Sequence, residues 1–491
     1  MSWSSAKRIV RGAPAAATAT QRKTRGAMRP LSAAPRGRDD AGLCRGPFQD
    51  KLAVMTRRQF AGAAVSGAPA LVSAQETRPN LLLLLTDQQT HTALSCAGNP
   101  WLRTPAMDSL AATGRRFTQA YCNYPVCSPS RGSIFTGRMP HETGVRVNGQ
   151  AIVAGMPTLG ELLRAAGYET VYGGKWHVPK PFGDVQGFSR LIGGSSQGAD
   201  MDAPLASACA NWLRGKPKQP FAMVASFMNP HDICEWIRRH KGMREQPKGV
   251  NFPPPPANMA HDPDEPDCMR YHRTAGYDKM SEAVGIAQQW RREDMRLYLH
   301  DYYRMVEKVD REMGRVLTAL RESGLDRNTL VAFASDHGEG MGAHRWVQKA
   351  AFYEESVHVP LILNGPGVEP GVDHNLVTLA DLLPTFCEAA GVAVPKDLAG
   401  ASLFGPRERK FVVSELRYGD ASREGRMLRT KRYKYVVFNT GARREQFFDL
   451  ELDPGESFNL AGRSEARGLV GEHRQLMKDW ISSRSDDFRL A

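Results

Sequence analysis

The chain is 491 residues long, enough to bury a sizeable core and to form more than one domain. Its formal net charge of +13 invites a nucleic-acid partner, but the first 74 residues hold 13 of the 65 Lys and Arg and only three acids. The rest carries 52 basic and 49 acidic side chains, so a nucleic-acid-binding body is not supported.

The front reads as a targeting segment. Thr56-Arg57-Arg58-Gln59-Phe60 is a twin-arginine pattern, followed by a weakly apolar run from Ala61 to Val72 and a small-residue stop at Val72-Ser73-Ala74. This predicts twin-arginine export over 55–74, with cleavage near Ala74–Gln75 and a periplasmic or extracellular product. Ser66, Gly67 and Pro69 interrupt the run, which is too short for a spanning helix, so no stable membrane anchor is expected. Met55 stands where such a signal would begin, which makes 1–54 a mis-called or disordered extension. The cysteines (Cys44, Cys96, Cys122, Cys127, Cys209, Cys234, Cys268 and Cys387) show no CxxC zinc pattern.

From Pro79 the pattern becomes α/β. Asn80–Thr86 is a continuous apolar run, as in a strand buried on both faces of a parallel sheet. A helix is predicted over Thr104–Thr113. Cys127-Ser128-Pro129-Ser130-Arg131 reads as a tight turn entering a helix, because proline suits the first helical turn. That places Cys127 at an anion-favouring N-terminus, with Arg131 able to reach back to it. Further on, helices are predicted at Thr158–Ala166 and around Pro204–Leu213, and strands at Tyr168–Tyr172 and Pro220–Phe227. Residues 230–289, with Pro253-Pro254-Pro255-Pro256, read as a long irregular insertion. A long helix over Arg292–Glu322, strands at Thr329–Ala334 and His358–Asn364, and a helix at Leu379–Ala390 complete a catalytic domain over 75–398. Residues 399–491 read as a small, mostly antiparallel sheet (Lys410–Leu416, Arg426–Thr430, Arg432–Phe438, Gln446–Leu450) with a helix at Ser464–Ser482.

In open α/β sheets, ligands collect at the carboxyl ends of parallel strands. Four predicted strand ends carry polar residues: Asp87-Gln88, Lys175 with His177, His231-Asp232, and Asp336-His337. Asp87, Gln88, Asp336 and His337 are a candidate ligand set for one divalent metal. The oxygens suit Ca²⁺ or Mg²⁺, and the imidazole leaves Mn²⁺ open.

These motifs resemble the sulfatase family of the alkaline-phosphatase superfamily over nearly everything from Asn80 to Leu460. Cys127-Ser-Pro-Ser-Arg131 with Thr136-Gly137 is similar to its C-x-P-S-R signature. Gly174-Lys175-Trp176-His177, Pro230-His231, Ser335-Asp336-His337-Gly338-Glu339 and Lys349…Phe352-Tyr353-Glu354-Glu355 match further segments, as does the tail Asp453-Pro454-Gly455-Glu456. The resemblance implies a large αβα sandwich around a mostly parallel mixed sheet, with a small C-terminal antiparallel sheet. It also implies that a maturating enzyme oxidises Cys127 to formylglycine. The hydrated aldehyde would attack a sulfate ester on Ca²⁺, Mn²⁺ or Mg²⁺ through a sulfated-enzyme intermediate. Modified Cys127 would also be a metal ligand, and Arg131 and Lys175 would stabilise its oxyanion and the sulfate. His177 would take the proton during sulfate release, and His231 and Lys349 would bind the ester oxygens and assist the leaving alcohol.

Three positions depart from the common pattern. Asp87-Gln88 stands where many members have Asp-Asp, Asp336-His337 where they have Asp-Asn, and Gly342-Ala343-His344 where they have Gly-Asp-His. The Asp/Gln/Asp/His set also resembles phosphonate monoester hydrolases, which makes a phosphonate or phosphodiester hydrolase the alternative activity. A carbohydrate-binding pseudoenzyme is a third. The insertion, the Arg238/Arg239/Lys241 cluster and the C-terminal domain are expected to frame a pocket for the leaving group, with sulfated carbohydrate as the expected substrate.

Overall fold

The leucine run of the first strand explains the architecture. The structure, a computed structural model, describes residues 78–490 apart from 180–184, 194–196, 241–246, 406–407 and 420–421. Within β1 (Asn80–Asp87) every residue is buried. Leu81, Leu83 and Leu85 point into one core, and Leu82 and Leu84 into a second on the opposite face. A strand with period-two side chains must be apolar throughout when both faces are covered. Each leucine buried this way contributes roughly 1.5–3 kcal/mol.

The remaining strands of this sheet are β2 (Arg115–Tyr121), β3 (Glu169–Gly174), β4 (Ser189–Ile192), β5 (Phe221–Pro230), β6 (Thr329–Ser335), β7 (Leu361–Asn364) and β8 (Gly371–Thr378). They lie in the order β4-β3-β5-β1-β6-β7-β2-β8. β1 pairs in parallel with β5 and β6, and β3 with β5 and β4. β7 is antiparallel to both β6 and β2. The helices that follow in chain order are α1 (Pro105–Thr113), α2 (Cys127–Thr136), α3 (Pro140–Thr143), α4 (Leu159–Ala165), α5 (Gly198–Arg214), α6 (Ile233–His240), α7 (Asp267–Ala275), α8 (Lys279–Ala287), α9 (Arg292–Glu322), α10 (Glu354–Val357), α11 (Leu382–Ala389) and α12 (Arg467–Ser483). α2, α4 and α11 supply the first core and α1, α5 and α9 the second, so helices cover both faces. No described helix is long and apolar enough to cross a membrane.

The expected αβα sandwich with a second, antiparallel sheet is what forms. That sheet is β9 (Phe411–Arg417), β10 (Glu424–Thr430), β11 (Tyr433–Phe438) and β12 (Glu445–Asp449), antiparallel throughout. Leu428, Tyr435 and Phe447 pack on α12 through Val470 and Met477. Val412, Met427 and Phe438 join the first core of the large sheet. Ion pairs seal the join: buried Lys434 lies 2.7 Å from both Glu354 and Glu456.

Several expectations need correction. The 230–289 segment is not irregular, because it carries α6, α7 and α8 between its loops. Their apolar faces are short, such as Ile233, Trp236 and Ile237 on α6, and neighbouring prolines and charges mask them in sequence. Pro204 lies inside α5, not at its start. The true start at Gly198 is held by Asp232, whose carboxylate accepts from Gly198 N (2.7 Å) and Ala199 N (2.8 Å). Asp232 is therefore a helix cap, and its carboxylate is spent there. The strand expected over His358–Asn364 begins only at Leu361, after Pro360. The twin-arginine segment, residues 1–54 and Lys241 lie outside the described residues.

Candidate active site

Each residue of the Cys127–Arg131 run has a separate task. α2 starts at Cys127, with Pro129 in its first turn. Ser128 N donates to Asn148 Oδ1 at 2.9 Å, and Ser128 Oγ donates to the His177 carbonyl. Ser130 Oγ donates to the Asp336 carbonyl. Two serines two residues apart thus tie the helix end to the loops after β3 and β6.

Arg131 is fully buried and acts as a clamp. Its Nε donates to Asp336 Oδ2 at 2.8 Å and its NH2 group to Asp87 Oδ2 at 3.0 Å. The remaining terminal nitrogen donates to Lys175 O (2.6 Å) and Ser226 Oγ (2.8 Å). The side chain therefore holds the two carboxylates and the lysine loop in place, behind the reacting centre.

Around Cys127 Sγ lie His337 Nε2 at 3.2 Å, Lys349 Nζ at 3.3 Å, Lys175 Nζ at 3.6 Å and Asp87 Oδ1 at 3.7 Å. Lys175 is also 2.6 Å from Asp87 Oδ2. Burial and Asp87 push the thiol pKa up, but Lys175, Lys349 and His337 outweigh them and hold it well below the usual range. The contrast with other buried thiols is sharp: burial pushes Cys209 up to about 12 and Cys234 to about 11. Among the described residues the cysteines are free, so Cys122 and Cys127 are not bridged.

The two carboxylates differ. Burial works against ionisation of Asp87, yet the cations Lys175, Arg131 and Lys349 keep it well below the usual carboxylate range. Asp336 is pushed up to about 6 by burial and by the charge of Asp87. His337 Nδ1 donates to the Gly338 carbonyl at 2.9 Å, so Nε2 is the nitrogen that faces the cluster; against burial, Asp336 and Cys127 raise the pKa of the ring, and a bound cation would take the Nε2 lone pair in place of that proton. Ligand atoms of Asp87, Cys127, Asp336 and His337 all lie within 4.8 Å of one another and are buried. Two neighbouring carboxylates and an imidazole lone pair converging in a buried site fit a divalent cation.

Gln88 stands beside this set, with Oε1 accepting from Lys349 Nζ at 2.8 Å. Burial lowers the His231 pKa, and Lys175 and Lys349 lower it further, so its imidazole is neutral. Lys349 is buried, yet Cys127 and the surrounding acids raise its pKa and keep it an ammonium. The ring of His177 is exposed, and what anchors this residue is its carbonyl, with a backbone φ of +59°. His344 stacks on Tyr353 and its Nε2 contacts Gly455 O at 3.1 Å, which ties the loop to the C-terminal tail.

A cleft of about 650 Å³ opens over His231, Cys234 and Lys349, with Arg238, Lys279 and Arg417 among its lining residues. It lies between the 230–289 segment and the end of β9. Arg239 is exposed and shares Glu235 with Arg238, so of the two described members of the basic cluster Arg238 alone lines the cleft. Glu339, Tyr298 and Tyr302, which brace Gln88, had no role assigned from sequence. A buried Glu two residues beyond a ligand reads as an ordinary turn residue.

The sulfatase family profile matches residues 79–392, and the N-sulphoglucosamine sulphohydrolase C-terminal profile matches 342–483. A Delta 4,5-hexuronate-2-O-sulfatase of Bacteroides thetaiotaomicron is 35% identical, covering 87% of this chain and 93% of its own. An N-acetylglucosamine-6-O-sulfatase of the same organism is 27% identical, with 84% and 87% covered. The solved structure of a 2-O GAG sulfatase superposes with a TM-score of 0.77 at 31% identity, covering 84% of this chain and 94% of that one. A phosphonate monoester hydrolase of Agrobacterium radiobacter shares the fold (TM-score 0.69, 24% identity, 83% and 96% covered). With the family profile spanning most of the chain and a buried Cys/Asp/Asp/His/Arg/Lys centre beneath it, the chain belongs to the sulfatase family of the alkaline-phosphatase superfamily and is a sulfatase.

Proposed function

We propose that the protein hydrolyses sulfate monoesters of carbohydrates, with Cys127 matured to formylglycine and one divalent cation held by Asp87, Gln88, Asp336 and His337. The observation that carries this is the surround of Cys127: a buried sulfur at a helix N-terminus within 3.2–3.7 Å of His337, Lys349, Lys175 and Asp87. Saccharides of the glycosaminoglycan type are the leading substrates, because the relatives named above act on sulfated hexuronate and N-acetylglucosamine. Ca²⁺ is the first candidate ion and Mn²⁺ or Mg²⁺ the alternatives. Bound there, formylglycine would supply the attacking oxygen and the cation Lewis-acid charge.

The chain's own groups do the rest. Lys175 and Lys349 present ammonium charges to the sulfate oxygens from either side of residue 127, where burial strengthens the attraction. Arg131 joins Asp87 and Asp336 through its Nε and one terminal nitrogen. His231 lines the cleft beside Lys349, facing the position of the leaving alcohol. An anionic ester between the two lysines offsets their charge and raises the affinity of His231 for a proton, which it can then pass to the leaving oxygen. His177, at the exposed rim, is the candidate to accept the proton that frees the sulfate.

His231→Asn should therefore lower kcat for a sugar sulfate by about 10²–10⁴-fold. An aryl sulfate, whose phenolate leaves without a proton, should lose under about tenfold. Equal losses on both would remove His231 from the acid role. Purified, matured protein should turn over sulfated mono- and oligosaccharides faster than phosphodiesters or phosphonate monoesters. The reverse order would favour the phosphonate-type activity shared by the fold.

Export by the twin-arginine route completes the proposal, with maturation by a formylglycine-generating enzyme before translocation of the folded protein. An Arg57→Lys, Arg58→Lys double variant should stay in the cytosol and keep its activity. Recovery of that variant from the periplasm would count against it.

A further inference from the structure

Gln88 poses a problem that an aspartate in the same place would not. The two ends of a carboxamide have nearly the same shape, so only hydrogen-bond partners decide which end faces the site. Gln88 Nε2 donates to Glu339 Oε2 at 2.5 Å, while Oε1 accepts from Lys349 Nζ, the ammonium that also lies 3.3 Å from Cys127 Sγ. Glu339 is fully buried. Its other oxygen, Oε1, is occupied by Tyr298 OH and by the backbone N–H groups of Gln348 and Gly340. That leaves Oε2 for the Gln88 amide.

The long helix α9 braces both halves of this arrangement. Tyr298 holds Glu339, and Tyr302, one turn later, donates its hydroxyl to Gln88 O at 2.9 Å while accepting from Thr90 N at 3.0 Å. Gln88 needs such support, because its backbone sits at φ +72°, the left-handed region that a residue with a Cβ rarely adopts. The Cys234 thiol adds contacts at 3.2 and 3.3 Å to both ends of the amide and so cannot choose between them. Glu339 can choose, because an ionised carboxylate only accepts.

We propose that Glu339, seated by Tyr298, is a positioning residue that captures the amide nitrogen of Gln88 so that its carbonyl oxygen faces the metal centre and Lys349. This rests on the metal-centre reading above. Without Glu339 the amide can turn over, pointing N–H groups at a cation and at an ammonium, both of which repel it.

The test is Ca²⁺ and Mn²⁺ affinity, measured by chelator competition on metal-stripped full-length protein. Glu339→Gln should weaken binding about 10–100-fold, the usual effect of losing a partner that orients a ligand. In a Gln88→Glu background the same substitution should act in the opposite direction and strengthen binding. It there replaces a carboxylate facing a carboxylate with an amide that donates to it. The same direction of effect in both backgrounds, or no loss from Glu339→Gln alone, would overturn the proposal. Should either carboxylate-site variant fail to unfold cooperatively, Tyr298→Phe decides. It keeps Glu339 but removes a donor, and should weaken binding about 3–10-fold; unchanged affinity would overturn the assignment. Wild-type protein that binds neither ion would instead overturn the metal-centre reading, and this proposal with it.

Discussion

Cys127→Ala should reduce kcat/KM on a sulfated saccharide by at least about 10⁴-fold, the scale of losing a catalytic nucleophile. The loss should fall on kcat, because the cleft over His231, Arg238 and Lys349 remains to bind the sugar. The protein should still unfold cooperatively, since the side chain removed is small. Cys122→Ala is the matched control. Cys122 is equally buried and five residues away, but its backbone N–H pairs with Val357 O and its thiol pKa is pushed up by burial and by Asp336. That variant should keep wild-type turnover. Activity persisting in Cys127→Ala, measured by sulfate release, would remove residue 127 from the chemistry.

Arg131→Met should be the most destabilising single change at the site. It deletes four hydrogen bonds, two of them to buried carboxylates with no exposed surface. Removing one partner of a buried ion pair leaves an uncompensated charge and costs about 3–5 kcal/mol. Arg131→Lys should recover only part of this, because a single ammonium cannot span Asp87, Asp336 and the Lys175 carbonyl together. Divalent cation should restore stability in both variants by more than it adds to wild type, since it supplies positive charge between the same two carboxylates. An unfolding free energy from denaturant titration within about 1 kcal/mol of wild type would show that Asp87 and Asp336 do not depend on the guanidinium.

Much of the site was legible in the sequence because its residues follow strands whose burial is written in leucines and valines. The run at 81–85 announces a two-faced strand, and Asp87 and Gln88 must then emerge at its carboxyl end. The same logic places Asp336 and His337 after β6 and His231 after β5. What the sequence hid were partners set by tertiary packing. Asp232, adjacent to His231, reads as a second site carboxylate until α5 is seen to end on it. Glu339 and Tyr298 meet across 41 positions, and nothing local announces the contact. β2 and β8 escaped notice because Arg115–Tyr121 and Gly371–Thr378 are only partly buried and carry polar residues at many positions. The short helices α6–α8 bury only two to four apolar residues each, too few for a clear period beside the proline tract.

The role expected for Arg131 is also sharper in the structure. Sequence suggested a cation aimed at the substrate anion. The geometry places four of its five N–H donors on the two aspartates, Ser226 and the Lys175 carbonyl, and sets Lys175 and Lys349 next to residue 127. The apparent departure at Gln88 is likewise matched by Glu339, so the amide is a built part of this centre.

In the mechanism proposed above, the working group at position 127 is an aldehyde. Trypsin should release the peptide Phe117–Arg131, which contains both Cys122 and Cys127 and no internal Lys or Arg. Fragmentation mass spectrometry of this peptide, from protein matured in a host with a formylglycine-generating enzyme, tests the claim directly. An aldehyde mass is expected at position 127 and an intact thiol at position 122. Unmodified thiols at both positions in a preparation that hydrolyses sulfate esters would contradict it.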